Sequence, residues 1–294
     1  MSRLPHSSPE STRADTAVIV PSLSGKADRV LASIRSQTLK PTEVVVVAGV
    51  RPNGHARNVG VQKTSAEILI FVDDDAVLGH PKVLERLVAA LRADDTAGVV
   101  GASKLLPPGA SWFQRWVARE VPRITHPVVT EPLETNPEPA NHFYSQVTTT
   151  CCAMRRRVFE QAGGFDPGLL RGVDTEFLVR VRRLGFRVVL VPETWTYHPA
   201  PPNLVALLRK QFLYGVGHAQ EVWRDPSRDP ARAFRSPWQA AAYLAFRTLV
   251  LVPNVFVPYS YADPSWRLAF KPLKALASYT SALGYVWAWF HAPQ

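Results

Sequence analysis

Three consecutive carboxylates, Asp73, Asp74 and Asp75, follow the apolar run at 68–72. Neighbouring carboxylates repel one another, and at a strand end their charges are costly unless a cation or hydrogen-bond donors neutralise them. Carboxylate oxygens suit hard divalent cations such as Mg²⁺ and Mn²⁺, and Mg²⁺ is commonly shared between protein carboxylates and substrate phosphates. The triplet therefore predicts a metal that holds a diphosphate. The alternative is a solvated acidic turn that caps the next helix.

Two further segments carry side chains suited to proton transfer or metal binding. Asp174 and Glu176 lie in "RGVDTEF", where a helical pattern begins, so Asp174 could serve as a base or as the N-cap of that helix. His198 closes the segment "PETWTYHP", and imidazole is a borderline ligand that suits Mn²⁺ better than Mg²⁺. A single histidine is also commonly structural, so both interpretations of His198 stay open.

The segments that carry these residues alternate between two kinds. Short apolar, often β-branched runs predict buried strands at 16–23, 42–49, 67–73 and 97–106. Segments with apolar residues at helical spacing lie between them, at 26–37, 54–65 and 81–94. Strands that alternate with helices predict βαβ units and a mainly parallel sheet, which is an α/β fold. In such a sheet ligands bind outside the carboxyl ends of the strands, where the acidic triplet lies.

Composition restricts the class of protein. The 294 residues suit one large domain or one domain with an appendage, and a hydrophobic content of 46% is sufficient for a packed core. The net charge of +10 points to anionic partners, but no helix-turn-helix, zinc or RNA-binding motif accompanies it, so nucleic acid is not expected. Adjacent Cys151 and Cys152 predict reduced thiols and a cytosolic site. Residues 1–15 predict a disordered tail rather than a secretory signal, because they lack an apolar core.

Four separate blocks resemble the family 2 glycosyltransferases of the GT-A fold. They are "AVIVPSLSG", "ARNVGVQKTSAEILIFVDDD", "MRRRVFEQAGGFDP" and "GVDTEFLVRVRRLGFRVVLVPETWTYH". The resemblance covers residues 16–220, and the order and spacing of the blocks make it specific. It implies a Rossmann-like GT-A domain over 16–200. It also implies an enzyme that uses a nucleoside-diphosphate-sugar donor and a divalent metal, Mg or Mn.

The resemblance also implies roles for the acidic triplet. Asp73 and Asp75 match the family's D-x-D motif, which places Asp73 at the ribose or the metal and Asp75 on the metal. Asp74, the middle residue, is expected to contact the nucleotide-sugar. In this family a histidine after the corresponding strand can join the metal or the diphosphate, which makes His198 a candidate third metal ligand.

Donor recognition is expected from two further blocks. Arg57 and Asn58 match the family's "ARN" block near the nucleotide-sugar, although Arg57 could instead be a surface cation. Pro21 and Ser22 end the first strand, where backbone groups can meet the base or the ribose, or can simply form a turn. Many family members carry an acid after the second strand to contact the base. This chain has Ala and Gly at 48–49, so the identity of the nucleotide stays open.

The "RGVDTEF" block matches the region of the family's general base, which assigns that role to Asp174. An inverting transfer needs a carboxylate near the acceptor hydroxyl, on the face opposite the departing nucleotide. Val173 replaces the acid that usually precedes the base, so one neighbouring negative charge is missing beside Asp174. Glu176 is the nearby alternative and is expected to bind the acceptor.

After the fourth strand the alternation lapses. "SWFQRWVARE" (111–120) predicts a short aromatic helix. The proline-rich segment 121–141 predicts a long loop. In the GT-A fold this region lies beside the acceptor site, so we expect it to shape or cover the acceptor pocket. The alternative is a merely solvated insertion.

The last part of the chain, 201–294, predicts a helical region that associates with an anionic membrane surface. It contains ten Lys/Arg against four Asp/Glu, a net charge of +6. Its two long apolar segments, 238–259 and 275–290, carry Trp and Tyr residues, and Arg247 lies in the middle of the first. A charge at a bilayer centre is costly, so interfacial or re-entrant helices are favoured over clean spans. The alternative is a soluble helical subdomain that packs on the GT-A core.

These observations predict a metal-dependent, inverting glycosyltransferase at the cytoplasmic face of a membrane. It would move one sugar to a hydroxyl of a saccharide or lipid-linked acceptor. Single transfer is favoured because "QFLYG" (211–215) is a poor match to the Q-x-x-R-W block of processive members. Two alternatives stay open. One is a metal-dependent nucleotidyltransferase, for which "PSLSGKADR" is a poor phosphate loop, and the other is a non-catalytic, membrane-associated sugar-nucleotide binder.

Overall fold

The computed structural model describes residues 15–121, 124–135, 147–256 and 270–291, so nearly all of the predicted N-terminal tail lies outside the described residues. At its centre is an eight-stranded sheet in the order β2-β1-β3-β7-β5-β8-β4, with β6 also paired to β8. The strands are β1 (Thr16–Ser22), β2 (Glu43–Ala48), β3 (Ile68–Val72), β4 (Val77–Leu78), β5 (Ala97–Leu105), β6 (Leu133–Glu134), β7 (Cys151–Arg155) and β8 (Arg187–Tyr197).

Five strands run in one direction, and β4, β6 and β7 run against them. The predicted α/β fold with a mostly parallel sheet is confirmed, and the four predicted strands are β1, β2, β3 and β5. Strand β7 was not predicted, although it lies at the middle of the sheet between β3 and β5.

Both faces of the sheet are covered, because successive side chains of a strand point to opposite faces. Val18 and Val20 of β1 pack in a core with α1 (Asp28–Arg35) and α3 (Val83–Ala93). Ile19 packs in the opposite core with α2 (Asn53–Gln62), α5 (Arg156–Gln161) and α6 (Val173–Arg183). Strands buried on two faces are continuous apolar runs, which is the pattern that predicted them.

Phe165, which follows a pair of glycines, lies at the centre of the second core. Its side chain is 1% exposed, and its ring centroid lies 5.3 Å from that of Phe71 and 4.6 Å from that of Phe177. The preceding glycines at 163–164 have φ values of +77° and +69°, which side chains other than glycine adopt at a cost. The glycine pair therefore makes the turn that brings Phe165 into the core.

The described part of the predicted proline-rich loop lies along the sheet. The backbone N–H of His126 donates to the carbonyl of Lys104 at 2.7 Å, and the Ser103 hydroxyl donates to the carbonyl of Pro127 at 3.0 Å. Strand β6 then pairs with β8. Residues 124–135 are thus held against the sheet, while 122–123 and 136–146 lie outside the described residues.

Among the described residues, four α-helices follow the sheet: α7 (Leu204–Arg224), α8 (Pro237–Leu249), α9 (Leu251–Val255) and α10 (Pro272–Phe290). The apolar segment predicted at 238–259 is two helices, with the break at Val250, and residues 257–259 are outside the described part. No helix within the described ranges combines the length and the apolar character that crossing a membrane requires.

Helices α7 and α10 approach so closely that only glycine fits at the contact. A Cβ on Gly215 would lie 1.9 Å from the carbonyl oxygen of Ser281, and a Cβ on Gly284 would lie 2.0 Å from that of Phe212. These pairings show that the two helices run in opposite directions. Because backbone atoms cannot turn aside as side chains do, the contact depends on both glycines.

A buried carboxylate joins these helices to the rest of the fold. Glu120 ends α4 (Trp112–Glu120), the helix predicted at 111–120, and is 1% exposed. It accepts hydrogen bonds from the Trp116 indole N–H and, at 2.8 Å, from the backbone N–H of Leu273 in the first turn of α10. A carboxylate at a helix N-terminus is favourable because the first N–H groups there lack intrahelical partners.

Candidate active site

A cleft of about 1910 Å³ opens at the carboxyl ends of the strands. The acidic triplet enters it from the turn after β3, where the Ala76 N–H donates to the Asp73 carbonyl at 3.1 Å. All three carboxylate residues line the cleft, and His198, which follows β8, lines it as well. The predicted location at the strand ends is the one that the structure shows.

Arg57 holds the first of the three carboxylates. Its Nη2 lies 2.6 Å from Oδ1 of Asp73, its side chain is almost fully buried, and its guanidinium lies 5.7 Å from the ring centroid of Phe165. Its Nε is buried and has no hydrogen-bond partner within the described part of the chain. Arg57 is therefore not a surface cation; it fixes Asp73 from beneath the cleft and brings positive charge to the cleft floor.

Asp73, Asp75 and His198 are close enough to share one ion. One ligand atom from each lies within 4.8 Å of the others, and the three are the single such group that the described residues contain. His198 Nε2 is 3.3 Å from Oδ1 of Asp75. Two carboxylate oxygens and one imidazole nitrogen form a donor set that suits Mn²⁺ or Mg²⁺.

Electrostatics at this group favour a bound cation. Burial by the cleft walls, together with repulsion by Asp73 and Asp74, raises the pKa of Asp75 to about 6, although half of the side chain is exposed. Burial lowers the pKa of His198 to about 4, so its imidazole is neutral at pH 7 and can donate a lone pair. A divalent ion would relieve the repulsion among the carboxylates, which is one cause of the raised pKa of Asp75.

The predicted donor-binding residues divide into two groups. Pro21, Arg57 and the first two acids of the triplet line the cleft. Ser22 is buried, and its hydroxyl donates to the carbonyl of Lys26 at 3.3 Å, which is turn chemistry. Asn58 bonds the backbone of Phe165 twice, donating to the carbonyl at 2.7 Å and accepting from the N–H at 3.0 Å. Asn58 therefore positions the turn beside the cleft and does not face it.

Asp174 lines the same cleft from the first turn of α6. The N-cap of this helix is Gly172, with a φ of +80°, so Asp174 is not the N-cap residue itself. Its carboxylate nevertheless accepts a hydrogen bond from a backbone N–H of the first turn, that of Thr175, at 3.0 Å. Asp174 therefore both faces the cleft and stabilises the start of its helix.

Glu176 lies on the same turn but is engaged elsewhere. Both of its oxygens bind Arg180, at 2.6 and 2.7 Å. Arg180 in turn donates to the carbonyls of Ala162 and Gly164, so the pair fastens α6 to the glycine turn. Glu176 is not among the residues that line the cleft.

Basic residues that the sequence did not single out complete the cleft. Lys210 of α7 opposes the upward shift in the pKa of Asp75 and contributes to the lowered pKa of His198. Lys104, near the end of β5, also contributes to the lowered pKa of His198. Its position at the carboxyl end of a predicted strand was a usable signal, whereas Lys210 gave none, because basic residues between apolar ones are ordinary in helices.

Sequence comparison identifies the family. Residues 9–213 match the model of the glycosyltransferase-like family 2, which is more than half of the chain. The chain therefore belongs to glycosyltransferase-like family 2. The predicted family is confirmed, and so is the prediction that the chain is an enzyme of this class.

Similar proteins come from bacteria and archaea. The O-antigen biosynthesis protein RfbC of Myxococcus xanthus is 28% identical over 180 residues, which is 59% of this chain and 14% of that protein. The glycosyltransferase AglE of Haloferax volcanii is 28% identical over 169 residues, 57% of this chain and 50% of that protein. This chain thus spans half or less of the length of these relatives.

Solved structures with a similar fold include the mannosyltransferase PcManGT from Pyrobaculum calidifontis in complex with GDP-Man and Mn²⁺. Its TM-score is 0.56 at 19% identity, and the alignment covers 95% of this chain and 88% of the other. The similarity extends beyond the sheet into the C-terminal helices and confirms the predicted GT-A fold.

Proposed function

We propose that this chain transfers a single sugar from a nucleoside diphosphate to an acceptor hydroxyl, with inversion at the anomeric carbon. The observation that carries the proposal is the placement of two chemically different groups on one cleft. The candidate metal group Asp73, Asp75 and His198 follows strands β3 and β8, and Asp174 lines the same cleft from the first turn of α6. That arrangement fits a leaving diphosphate on one side and a base on the other.

Each residue of the candidate metal group and its neighbours has a separate role in this proposal. Asp73, Asp75 and His198 would hold a Mg²⁺ or Mn²⁺ ion, which when bound supplies Lewis-acid stabilisation of the leaving diphosphate. Arg57 holds Asp73 in place. Lys210 adds positive charge near the diphosphate without being a metal ligand.

In the transfer, the acceptor oxygen forms a bond to C1 of the sugar as the bond from C1 to the diphosphate breaks. Asp174 takes the proton from the acceptor hydroxyl during this step. General-base catalysis of this kind contributes about 10²–10⁴-fold in rate. The proposal therefore assigns to Asp174 an interaction made in the transition state and not in donor binding.

The C-terminal helices support a membrane location for this reaction. From 237 to 256 the sequence holds one charged residue, Arg247, and the outward side chains are apolar: Trp238 is 83% exposed, Phe246 58% and Leu249 78%. An exposed apolar face of this kind marks an interaction surface. With a net charge of +6 over 201–294, it fits an anionic bilayer interface. On sequence grounds we place it at the cytosolic side.

A panel of nucleotide-sugars, each with Mn²⁺ or Mg²⁺, tests the function by donor hydrolysis and thermal shift. Asp174→Asn should lower kcat by about 10²–10⁴-fold and leave donor affinity nearly unchanged. Asp28→Asn is the matched control, because Asp28 is also in the first turn of a helix but does not line the cleft. Unchanged kcat in Asp174→Asn would remove this residue from the mechanism. Nucleotide binding without turnover on any acceptor would favour a non-catalytic binder.

A further inference from the structure

One face of α7 lies against the backbone that leads into α6. Gly217 and Glu221 are four residues apart, so they are on the same side of α7, and both meet this backbone. A Cβ on Gly217 would lie 2.7 Å from the carbonyl oxygen of Arg171. A Cβ on Gly172 would overlap with Oε1 of Glu221. Helix α7 therefore fixes the course of the chain at 171–172.

Side-chain contacts extend this docking to the residues before 171. The Leu170 N–H donates to Oε1 of Gln220 at 2.9 Å. Nη1 of Arg224 lies 3.3 Å from Oδ2 of Asp166. The contacts come from residues 217 to 224, which is about two turns of α7. A displacement of α7 would therefore displace the whole segment 166–172.

The candidate base follows this segment directly. Asp174 is in the first turn of α6, and the N-cap of that helix is Gly172, with a φ of +80° that glycine adopts without strain. A side chain at 172 would also push the Glu221 carboxylate away. A carboxylate beside a helix N-terminus is favourable, because the first N–H groups there lack intrahelical partners. Glu221 thus stabilises the turn that carries Asp174.

Glu221 is itself held by the C-terminal helices. It is buried, and its Oε2 lies 3.6 Å from Nδ1 of His218. Nε2 of the same imidazole lies 3.1 Å from Oδ2 of Asp229, in the segment between α7 and α8. Tyr285 of α10 packs its ring 5.5 Å from the imidazole and donates its hydroxyl to the carbonyl of Arg232 at 2.6 Å. The position of Glu221 therefore depends on how α10 and the segment after α7 pack against α7.

We propose that Glu221 is a positioning residue for Asp174, through which the C-terminal helices set the geometry of the transfer. Both carboxylates line the cleft, but that of Glu221 is engaged with His218 and lies against the backbone of Gly172. Glu221 therefore does not take the acceptor proton; it keeps the first turn of α6 where the Asp174 carboxylate faces the cleft. The inference rests on the proposed function for the role of Asp174 as the base.

The first test needs no substrate. Hydrogen–deuterium exchange of the full chain follows the amides at 173–178, among them the Glu176 N–H, which donates to the carbonyl of Gly172 at 3.0 Å. Glu221→Gln keeps the shape of the side chain and removes its charge, so these amides should exchange about 5- to 30-fold faster. Gln220→Ala, which removes the bond to the backbone at 170, should loosen the same amides.

Glu160→Gln is the matched control for the exchange measurement. Glu160 also pairs with a cation of its own helix, Arg156, at 3.7 Å, but it does not line the cleft. This variant should exchange as wild type does at 173–178. Unchanged exchange at 173–178 in both Glu221→Gln and Gln220→Ala would overturn the proposal.

The second test is a double-mutant cycle on kcat with Asp174→Asn. Glu221→Gln alone should lower kcat by about 10- to 100-fold, the scale of a misplaced catalytic group, and leave donor affinity nearly unchanged. In the Asp174→Asn background the same change should have no further effect, because Glu221 acts only through that carboxylate. Equal losses in both backgrounds would overturn the proposal, since a general structural loss or a role of its own would appear in both.

The two tests separate this inference from the proposed function. Faster exchange at 173–178 in Glu221→Gln, with no sugar transfer by wild type to any acceptor, would overturn the proposed function and support the hold of α7 on α6. Normal transfer by wild type, with unchanged exchange and unchanged kcat in Glu221→Gln, would overturn the positioning role and leave the proposed function in place.

Discussion

Gly215→Ala tests whether the C-terminal helices depend on the close contact between α7 and α10. The new Cβ would lie 1.9 Å from the carbonyl oxygen of Ser281, a backbone atom that cannot turn aside. The helices must separate by roughly 1 Å, and a gap of that size removes up to about half of the dispersion attraction across the contact. Overpacking costs about 1–3 kcal/mol and at times more, whereas the better helix propensity of alanine offsets about 1 kcal/mol. We expect a net loss of ~2 kcal/mol.

The assay is thermal unfolding of the full chain, where a loss of this size lowers Tm by about 4–8 °C. Gly109→Ala is the matched control, because its Cβ meets nothing within 4 Å, and it should leave Tm unchanged or slightly raised. Gly284→Ala opens the same contact from the other helix. The double variant should therefore lose less than the sum of the two single losses. A Gly215→Ala protein as stable as wild type, or strictly additive losses, would refute the proposed contact.

Three other outcomes follow from the charges and surfaces described. Mn²⁺ affinity should rise steeply between pH 5 and 7, because the pKa of Asp75 is raised to about 6 and the protonated carboxyl binds metal poorly. Isothermal titration calorimetry at several pH values measures this affinity, and an affinity that does not change with pH would contradict the prediction. Partial burial lowers the pKa of His218, but its acidic hydrogen-bond partners, Asp229 and Glu221, outweigh this effect and the net shift is upward. The stabilisation that protonated His218 provides is therefore complete at pH values below the pKa of this residue in the unfolded state. It is lost as pH rises through the higher pKa of the folded state. Tm should therefore fall with rising pH more in wild type than in His218→Gln. The double variant Trp238→Ser/Phe246→Ser should no longer sediment with phosphatidylglycerol vesicles. The control Leu184→Ser, which changes an exposed apolar residue of the sheet domain, should sediment as wild type does. Equal sedimentation of the double variant and wild type would favour a soluble helical subdomain.

Local sequence patterns were sufficient to predict the strands that are continuous apolar runs and the helices between them. Strands β1, β2, β3 and β5 and helices α1 to α4 follow from such runs and from helical spacing, and the acidic triplet lies at the strand end that its position indicated. Strand β7 was missed because "CCAMR" is short and runs straight into α5. Its place in the sheet depends on pairing with β3 and β5, which are distant in sequence.

The site was predicted as a set of residue types, but not as a set of contacts. Asn58 and Glu176 belong to the expected blocks, yet their hydrogen bonds go to the Phe165 backbone and to Arg180. Which polar side chain faces the cleft and which braces the fold is decided by the tertiary positions of backbone groups and charges. No spacing in the sequence encodes those positions. Arg247 of α8 lines the cleft, and this too was not predicted, because helical periodicity alone does not say which side of a helix meets the cleft.

The two cysteines of β7 make the centre of the sheet observable by chemistry. Cys151 and Cys152 are free and fully buried, and burial, with a contribution from Asp73, raises the pKa of Cys151 to about 12. A thiol-specific reagent can then react only with molecules in which β7 has separated from its neighbours. The labelling rate of the unmodified chain therefore reports the opening of the sheet's middle strand. Comparing that rate with the melting of the C-terminal helices would show whether the two halves of the molecule come apart together or in sequence.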